Sequence, residues 1–241
     1  MLKYFISCLI LLCSLVSTAQ SKEKDTLNSI KTIKRDSVGA FYNPKTYGLR
    51  IGVDLVKPAL SFIEKADFKG GEIVADWRIN TRLFAAGELG YTKRTIQEDY
   101  FNHTASGSYL KLGVNYNLYT NWLDMDNETF LGARYGTSVY NDNLNSYTIF
   151  QNGEYFDPKT TIGEKYNNLN THWFELVAGL KVETFKNLFL GFMVSFSKVI
   201  STNNPDNYKS TYSPGIGKIS KNGSGANINY TISYRIPLYK K

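Results

Sequence analysis

The sequence predicts an all-β chain: an eight-stranded antiparallel up-and-down transmembrane β-barrel with a side-chain-filled lumen. Three observations carry this. Apolar and polar residues alternate with a period of two in eight separate runs between Tyr47 and Leu238, the pattern of strands with one apolar face. The connections alternate between short and long, which places all the long ones at one end of an up-and-down sheet. The 241 residues include 18 Tyr, 14 Phe and 19 Gly, yet only 42% are hydrophobic. That balance excludes a polytopic helical membrane protein, which needs repeated apolar runs of about 20 residues. It also excludes wholesale disorder, because disordered chains are poor in aromatics.

Residues 1–19 read as a cleavable secretory signal. Lys3 supplies the positive charge, Tyr4 to Val16 the apolar stretch, and Ser17-Thr18-Ala19 the small residues of a cleavage site. Both cysteines, Cys8 and Cys13, lie within it, so the exported chain is expected to carry neither disulfide nor lipid. Its stability must then come from a core or from a closed hydrogen-bonded architecture. Residues 20–45 are polar and aperiodic and read as a flexible periplasmic leader, and 46–241 as the barrel.

The first run alternates Tyr47, Leu49, Ile51, Val53 and Leu55 with Gly48, Arg50, Gly52 and Asp54. The second sets Ile73, Ala75, Trp77 and Ile79 against Glu72, Asp76 and Arg78. The third and fourth centre on Leu89-Gly90-Tyr91 and on Leu110 to Leu118, the fifth on Leu131 to Val139. The sixth runs from Phe174 to Glu183, the seventh from Leu188 to Ser197 and the eighth from Asn227 to Leu238. Strands of roughly ten to thirteen residues are expected, the length that crosses a bilayer at a tilt. Short turns are expected at Asn80-Thr81, Tyr119 to Glu128 and Thr184 to Asn187, and the longest connections at Asn141 to Asn170 and Ser201 to Gly223.

The polar face decides between a soluble and a membrane barrel. A solvated exterior would be rich in Lys and Glu, whereas here that face is mostly Gly, Ser, Thr and Asn. Its charges are Arg50, Arg78, Lys111, Arg134, Lys181 and Arg235 against Asp54, Glu72, Asp76, Glu88, Glu175 and Glu183. Equal numbers of each sign suit a narrow interior in which every charge needs a partner. An eight-stranded barrel is just wide enough for side chains to fill, so these twelve residues are expected to form a lumen charge network and to leave no pore. Outward aromatics near strand ends, Tyr47, Trp77 and Tyr91, fit interfacial girdles.

The segments YLKLGVNYNLY, HWFELVAGLKVE, NLFLGFMVSFSK and NYTISYRIPLYKK resemble a small outer-membrane β-barrel family of Bacteroidetes-type bacteria known as a domain of unknown function. The resemblance implies barrel and location, and it implies no reaction.

A hydrolytic site would need a nucleophile, a base and an orienting carboxylate within reach of one another. The two histidines are His103, expected in the loop after the third run, and His172, at the loop end of the sixth. A site of His172, Glu175 and Ser106 or Ser108 is conceivable, but no motif fixes a pairing. Asp142, Glu154, Asp157 and Glu164 lack the spacing of a calcium loop, and no metal or cofactor is expected. In the longest loop SYTIFQNGEYFD alternates as a β-hairpin turned at Asn152-Gly153, and its aromatics Tyr147, Phe150, Tyr155 and Phe156 offer a binding surface. The net charge of +7 is scattered, with no basic run beyond Lys34-Arg35 and Lys240-Lys241, so nucleic acid is not an expected partner. The expected function is therefore non-enzymatic, an integral outer-membrane accessory or surface-binding component. Expected partners are outer-membrane lipids or lipopolysaccharide, another envelope protein, and the barrel-assembly machinery for insertion. The alternative is a lipid A- or phospholipid-modifying barrel enzyme with a rim histidine.

Overall fold

The computed structural model describes residues 46–98, 101–119, 126–149, 159–204 and 210–240. The signal and the leader lie outside the described residues. The elements in order are β1 (Thr46–Asp54), α1 (Val56–Ile63), β2 (Phe68–Arg78), β3 (Leu83–Glu98), β4 (Phe101–Asn117), β5 (Glu128–Ile149), β6 (Lys159–Ile162), β7 (Lys165–Phe185), β8 (Leu188–Thr202), β9 (Tyr212–Ser213), β10 (Gly217–Lys218) and β11 (Ser224–Lys240).

Eight of these strands close a ring. Each of β1, β2, β3, β4, β5, β7, β8 and β11 pairs antiparallel with its neighbour in the sequence, and β1 returns to pair with β11. A closed ring leaves no free edge, so every strand finds its ladder partners on both sides where its neighbours run alongside. Alternate residues then point inward and outward. Along β7, Trp173, Glu175 and Val177 are buried while Phe174, Leu176 and Ala178 are exposed.

The turn end is built locally. The Asn80 side chain accepts hydrogen bonds from the backbone N–H of Arg82 (2.8 Å) and Leu83 (2.7 Å), closing the β2–β3 turn. Asn187, with φ +66°, occupies the left-handed region in the β7–β8 turn that asparagine tolerates.

The loop end departs from the expectation in three ways. The ring strands range from 9 to 22 residues rather than ten to thirteen. Between β3 and β4 there is no long loop, because the ladder continues in register to Glu98 opposite Phe101. The connection after β1 is the helix α1, whose first turn takes Pro58, where a missing N–H is tolerated, and whose Lys57 N–H is accepted by the Asp54 side chain at 3.1 Å. The first arm of the expected SYTIFQNGEYFD hairpin does pair, but with residues beyond the expected second arm, Ser146 with Ile162 and Ile149 with Lys159. The expected second arm, Glu154 to Asp157, and the turn, Asn152-Gly153, lie outside the described residues.

Candidate functional site, a filled lumen and its closed mouth

Nearest the turn end, four cations meet four carboxylates inside the ring. Arg50 donates to Asp76 (2.6 Å) and to Glu128 (2.8 Å). Arg78 faces Asp126 (3.3 Å) and Glu128 (3.7 Å). Arg235 reaches Asp126 and, at 3.3 Å, Glu183, and Lys181 reaches Asp76. The Arg50 guanidinium also lies over the rings of Phe84 (5.1 Å) and Phe189 (4.8 Å), which holds its plane while its N–H groups fork between two strands.

Above this layer Lys111 sits 3.2 Å from both Glu88 and Glu175, and Arg134 lies 3.4 Å from Glu88. Arg134 also donates to Asn115 Oδ1 at 2.7 Å, and Glu175 accepts from Trp173 Nε1 at 3.1 Å. Trp173 has this room because Gly136 stands opposite on β5, where a Cβ would enter the indole ring. Higher still, Glu72 accepts from Tyr109 Oη (2.5 Å) and Asn229 Nδ2 (2.8 Å) and faces Lys57 (3.1 Å), which also pairs with Asp54 at 3.2 Å. Each of the twelve lumen charges named from the sequence is buried or nearly so and takes part in these pairings. Lys57, Asp126 and Glu128 join them, although none lies on an alternating run. Lys57 belongs to α1, Asp126 lies just before β5 and Glu128 begins it, in the stretch the alternation reads as turn.

The mouth is closed by the connection between β8 and β11. Its short hairpin pairs Ser213 with Gly217 and Tyr212 with Lys218, and its tip points into the ring. Ile216 is fully buried against Tyr109 and Trp173. Gly215 has φ +87°, and a Cβ there would come within 2.8 Å of Tyr109 and 2.9 Å of Trp173, so only glycine fits this close approach. Asn227 Nδ2 donates to the carbonyls of Gly215 (3.2 Å) and Ile216 (2.8 Å), Ser138 and Ser213 share a hydrogen bond at 2.9 Å, and Tyr212 Oη donates to Thr92 at 3.2 Å. Burial pushes the Tyr212 hydroxyl above the ordinary tyrosine range.

A second group fixes the base of this hairpin to the wall. His103 Nδ1 lies 2.9 Å from Asp142 Oδ1, its Nε2 lies 3.2 Å from Thr211 Oγ1, and Ser210 Oγ donates to Asp142 Oδ2 at 2.8 Å. His103 and Asp142 are fully buried and Thr211 is half-buried. The order carboxylate, imidazole, hydroxyl is the connectivity of a hydrolytic triad. The same bonds tie two wall strands, β4 and β5, to the inserted chain. His103 therefore stands inside the ring on a strand, not in a rim loop, because the β3–β4 ladder carries it inward.

His172 faces outward and bonds Tyr135 Oη at 3.0 Å, while Glu175 on the same strand faces inward. Strand parity thus separates the conceivable His172–Glu175 site. Tyr47 is buried, stacked 5.1 Å from Tyr239 next to a register shift at Tyr47/Gly48, so it does not belong to an outer girdle; Trp77 and Tyr91 are exposed. Of the loop aromatics, Tyr147 is half-buried on β5 opposite Phe101, and Phe150, Tyr155 and Phe156 lie outside the described residues. Neither the inserted hairpin nor the His103 group was singled out from the sequence. The available signal was Pro214-Gly215-Ile216-Gly217, a turn motif with one apolar residue inside a polar connection.

The exterior is the inverse of the interior. Leu89, Leu112, Leu131, Leu176, Phe196 and Ile228 form part of a continuous apolar band, with Leu176 69% and Phe196 64% exposed. Charges inside and aliphatic residues outside are the arrangement of a barrel bathed in lipid.

Similar solved structures include Ail, the attachment invasion locus protein of Yersinia pestis, at 9% identity, covering 79% of this chain and 97% of that one with a TM-score of 0.39. CarO2 of Acinetobacter baumannii is similar at 13% identity, with 80% and 99% coverage and a TM-score of 0.34. The outer membrane protease OmpT of Escherichia coli is similar at 13% identity, with 84% and 100% coverage and a TM-score of 0.33. No curated protein matches the sequence significantly. A family model matches residues 1–241 from end to end, and the chain belongs to that family, the Domain of unknown function (DUF6048).

Proposed function

We propose that this protein is an integral outer-membrane barrel, closed to diffusion, that acts without catalysis as an accessory or surface-binding component of the envelope. A Bacteroidetes-type origin, a cleaved signal and lipids or an envelope protein as partners belong to the same reading. The observation that carries it is the inserted hairpin: Ile216 and Gly215 seat on Tyr109 and Trp173 directly above the paired charges. A solute path would have to displace both the hairpin and buried ion pairs, whose rupture strands charges in a low-dielectric interior. What remains for function is the outer surface and the tall β-hairpins at the loop end. The purified protein in planar bilayers should give no ion-conducting steps, and a tagged copy from native membranes in mild detergent should bring down a stoichiometric partner. Steady single-channel currents from the intact protein would sink the closed-barrel reading.

One observation favours a second reading. The Asp142–His103–Thr211 chain is suited to activate the Thr211 hydroxyl for acyl transfer. Thr211→Ala keeps the hairpin's Ser210 bond to Asp142 and removes the nucleophile. An altered lipid profile in cells carrying that variant alone would support the enzyme, and an unchanged one a purely structural role in fixing the hairpin to the wall.

A further inference from the structure

β1 is the shortest strand of the ring, and it ends at Asp54 while both its neighbours run on. It pairs with β2 only from Ile73 to Trp77 and with β11 only from Thr231 to Lys240. Phe68 to Glu72 on one side and Ser224 to Tyr230 on the other therefore have no strand between them. The wall carries a notch there, level with Gly71 opposite Tyr91 at the edge of the apolar band. Helix α1 lies in the notch, tied to β2 by the Gly70 N–H bond to Ser61 Oγ at 3.0 Å. Its Phe62 and Ile63 are 81% and 74% exposed, the posture of a helix whose apolar side rests in a membrane interface.

Two hollows flank this helix. One, of about 350 Å³, reaches from the inserted hairpin at Tyr212 to the outward residues Ala226 and Ile228, so it opens through the wall. Val56 and Leu60 of α1 line it, and so do three cations, Lys57, Arg94 and Lys218, with no carboxylate among its described lining residues. Lys57 is held from behind by Asp54 and Glu72, and Arg94 by Glu64 at 3.2 Å, which fixes both cations at the cavity. The other hollow, of about 500 Å³, is a mainly apolar groove on the outside between Val53, Pro58, Ile73, Leu89 and Tyr91, with Asp54 and Glu72, the partners of Lys57, also in its lining. Gly71 keeps it open, since nothing lies within 4 Å of where its Cβ would be.

We propose that this notch binds a phosphate-bearing amphiphile from the membrane, its anionic head in the cationic cavity and an acyl chain in the groove beneath α1. Three cations beside the polar side chains of Thr92 and Asn227 in one cavity suit an anion, and an opening in the wall beside an apolar groove admits a lipid without passage through the closed mouth. The inference rests on the membrane-spanning reading of the barrel. The full chain in detergent can be titrated by native mass spectrometry with dihexanoyl phosphatidic acid, dihexanoyl phosphatidylcholine and inorganic phosphate. The phosphatidic acid should bind at least tenfold more tightly than either of the others. Arg94→Gln should erase the preference over phosphatidylcholine, and Ala226→Trp should block the cavity, both in protein that retains a folded barrel's heat-modifiable gel mobility. Equal binding of the two lipids, or an undiminished preference in both variants, overturns the site. Inorganic phosphate binding as tightly as phosphatidic acid overturns the lipid assignment. Recovery of the protein as a detergent-free soluble monomer would overturn the membrane reading itself, an outcome distinct from a detergent-held barrel that ignores the lipid.

Discussion

Glu128 joins two arginines that otherwise belong to separate pairs, since one oxygen faces Arg50 and the other Arg78. Replacing it with glutamine keeps the shape and removes the charge, which leaves the four cations of that layer against three carboxylates. Glu128→Gln should destabilise the barrel by about 3–5 kcal/mol, the usual cost of breaking a buried pair from one side, as read from urea unfolding in lipid vesicles. Tyr212 sets a different kind of limit. Its hydroxyl titrates higher in the inserted hairpin than in free chain, so its contribution is complete below the ordinary tyrosine pKa of about 10 and is lost as pH rises beyond it. Amide exchange of residues 210–216, corrected for its intrinsic pH dependence, should accelerate above pH about 10, and Tyr212→Phe should remove that acceleration. The lumen charges were legible because each sits on the polar phase of an alternating run. Glu128 was not, since it precedes the first outward residue of its run, Leu131.

At the scale of elements, the β9–β10 hairpin is held by a glycine, an isoleucine and a ring of side-chain bonds, and each makes a separate demand. Gly215→Val meets both the positive φ and the Tyr109 and Trp173 rings, so it should expel the tip while the wall strands remain. Faster amide exchange confined to 210–217, with protection unchanged in β4 and β5, would report this. The His103 group should behave likewise, because His103→Ala cuts the links to both Asp142 and Thr211. Strand lengths show why the sequence disclosed one end of the barrel better than the other. Where a strand has lipid on its outer face, as at Leu110-Lys111-Leu112, the two phases differ and the period is plain. Beyond the apolar band, as at Lys93 to Gln97 or Asn141 to Asn145, polar residues stand on both faces and Ile96 and Leu144 are single apolar residues among them, so the ladder continues with no alternation to reveal it. The hairpin was hidden for a related reason, since nothing in a polar connection states which way it folds.

For the whole molecule, stability rests on a ring without disulfides and on a surface suited to hydrocarbon. Leu112→Arg, in the middle of the outward face of β4, should cost about 2–4 kcal/mol in a bilayer, as measured by reversible unfolding from vesicles. The same change at Thr95, above the band, should cost little. Seven of the eight joints in the ring link neighbours along the chain and can form as each hairpin folds. The eighth joins the first strand to the last, Asp54 to Thr231 and Thr46 to Lys240. That joint closes the longest loop in the fold, at a cost that grows with the logarithm of its length, and it falls to β1, with only nine residues and an irregular register at Tyr47/Gly48. Pairing at such sequence separation is intrinsically slow, so closure of the cylinder is expected late in assembly. Until it happens, β1 and β11 are the two open edges that a folding helper in the membrane would have to shield.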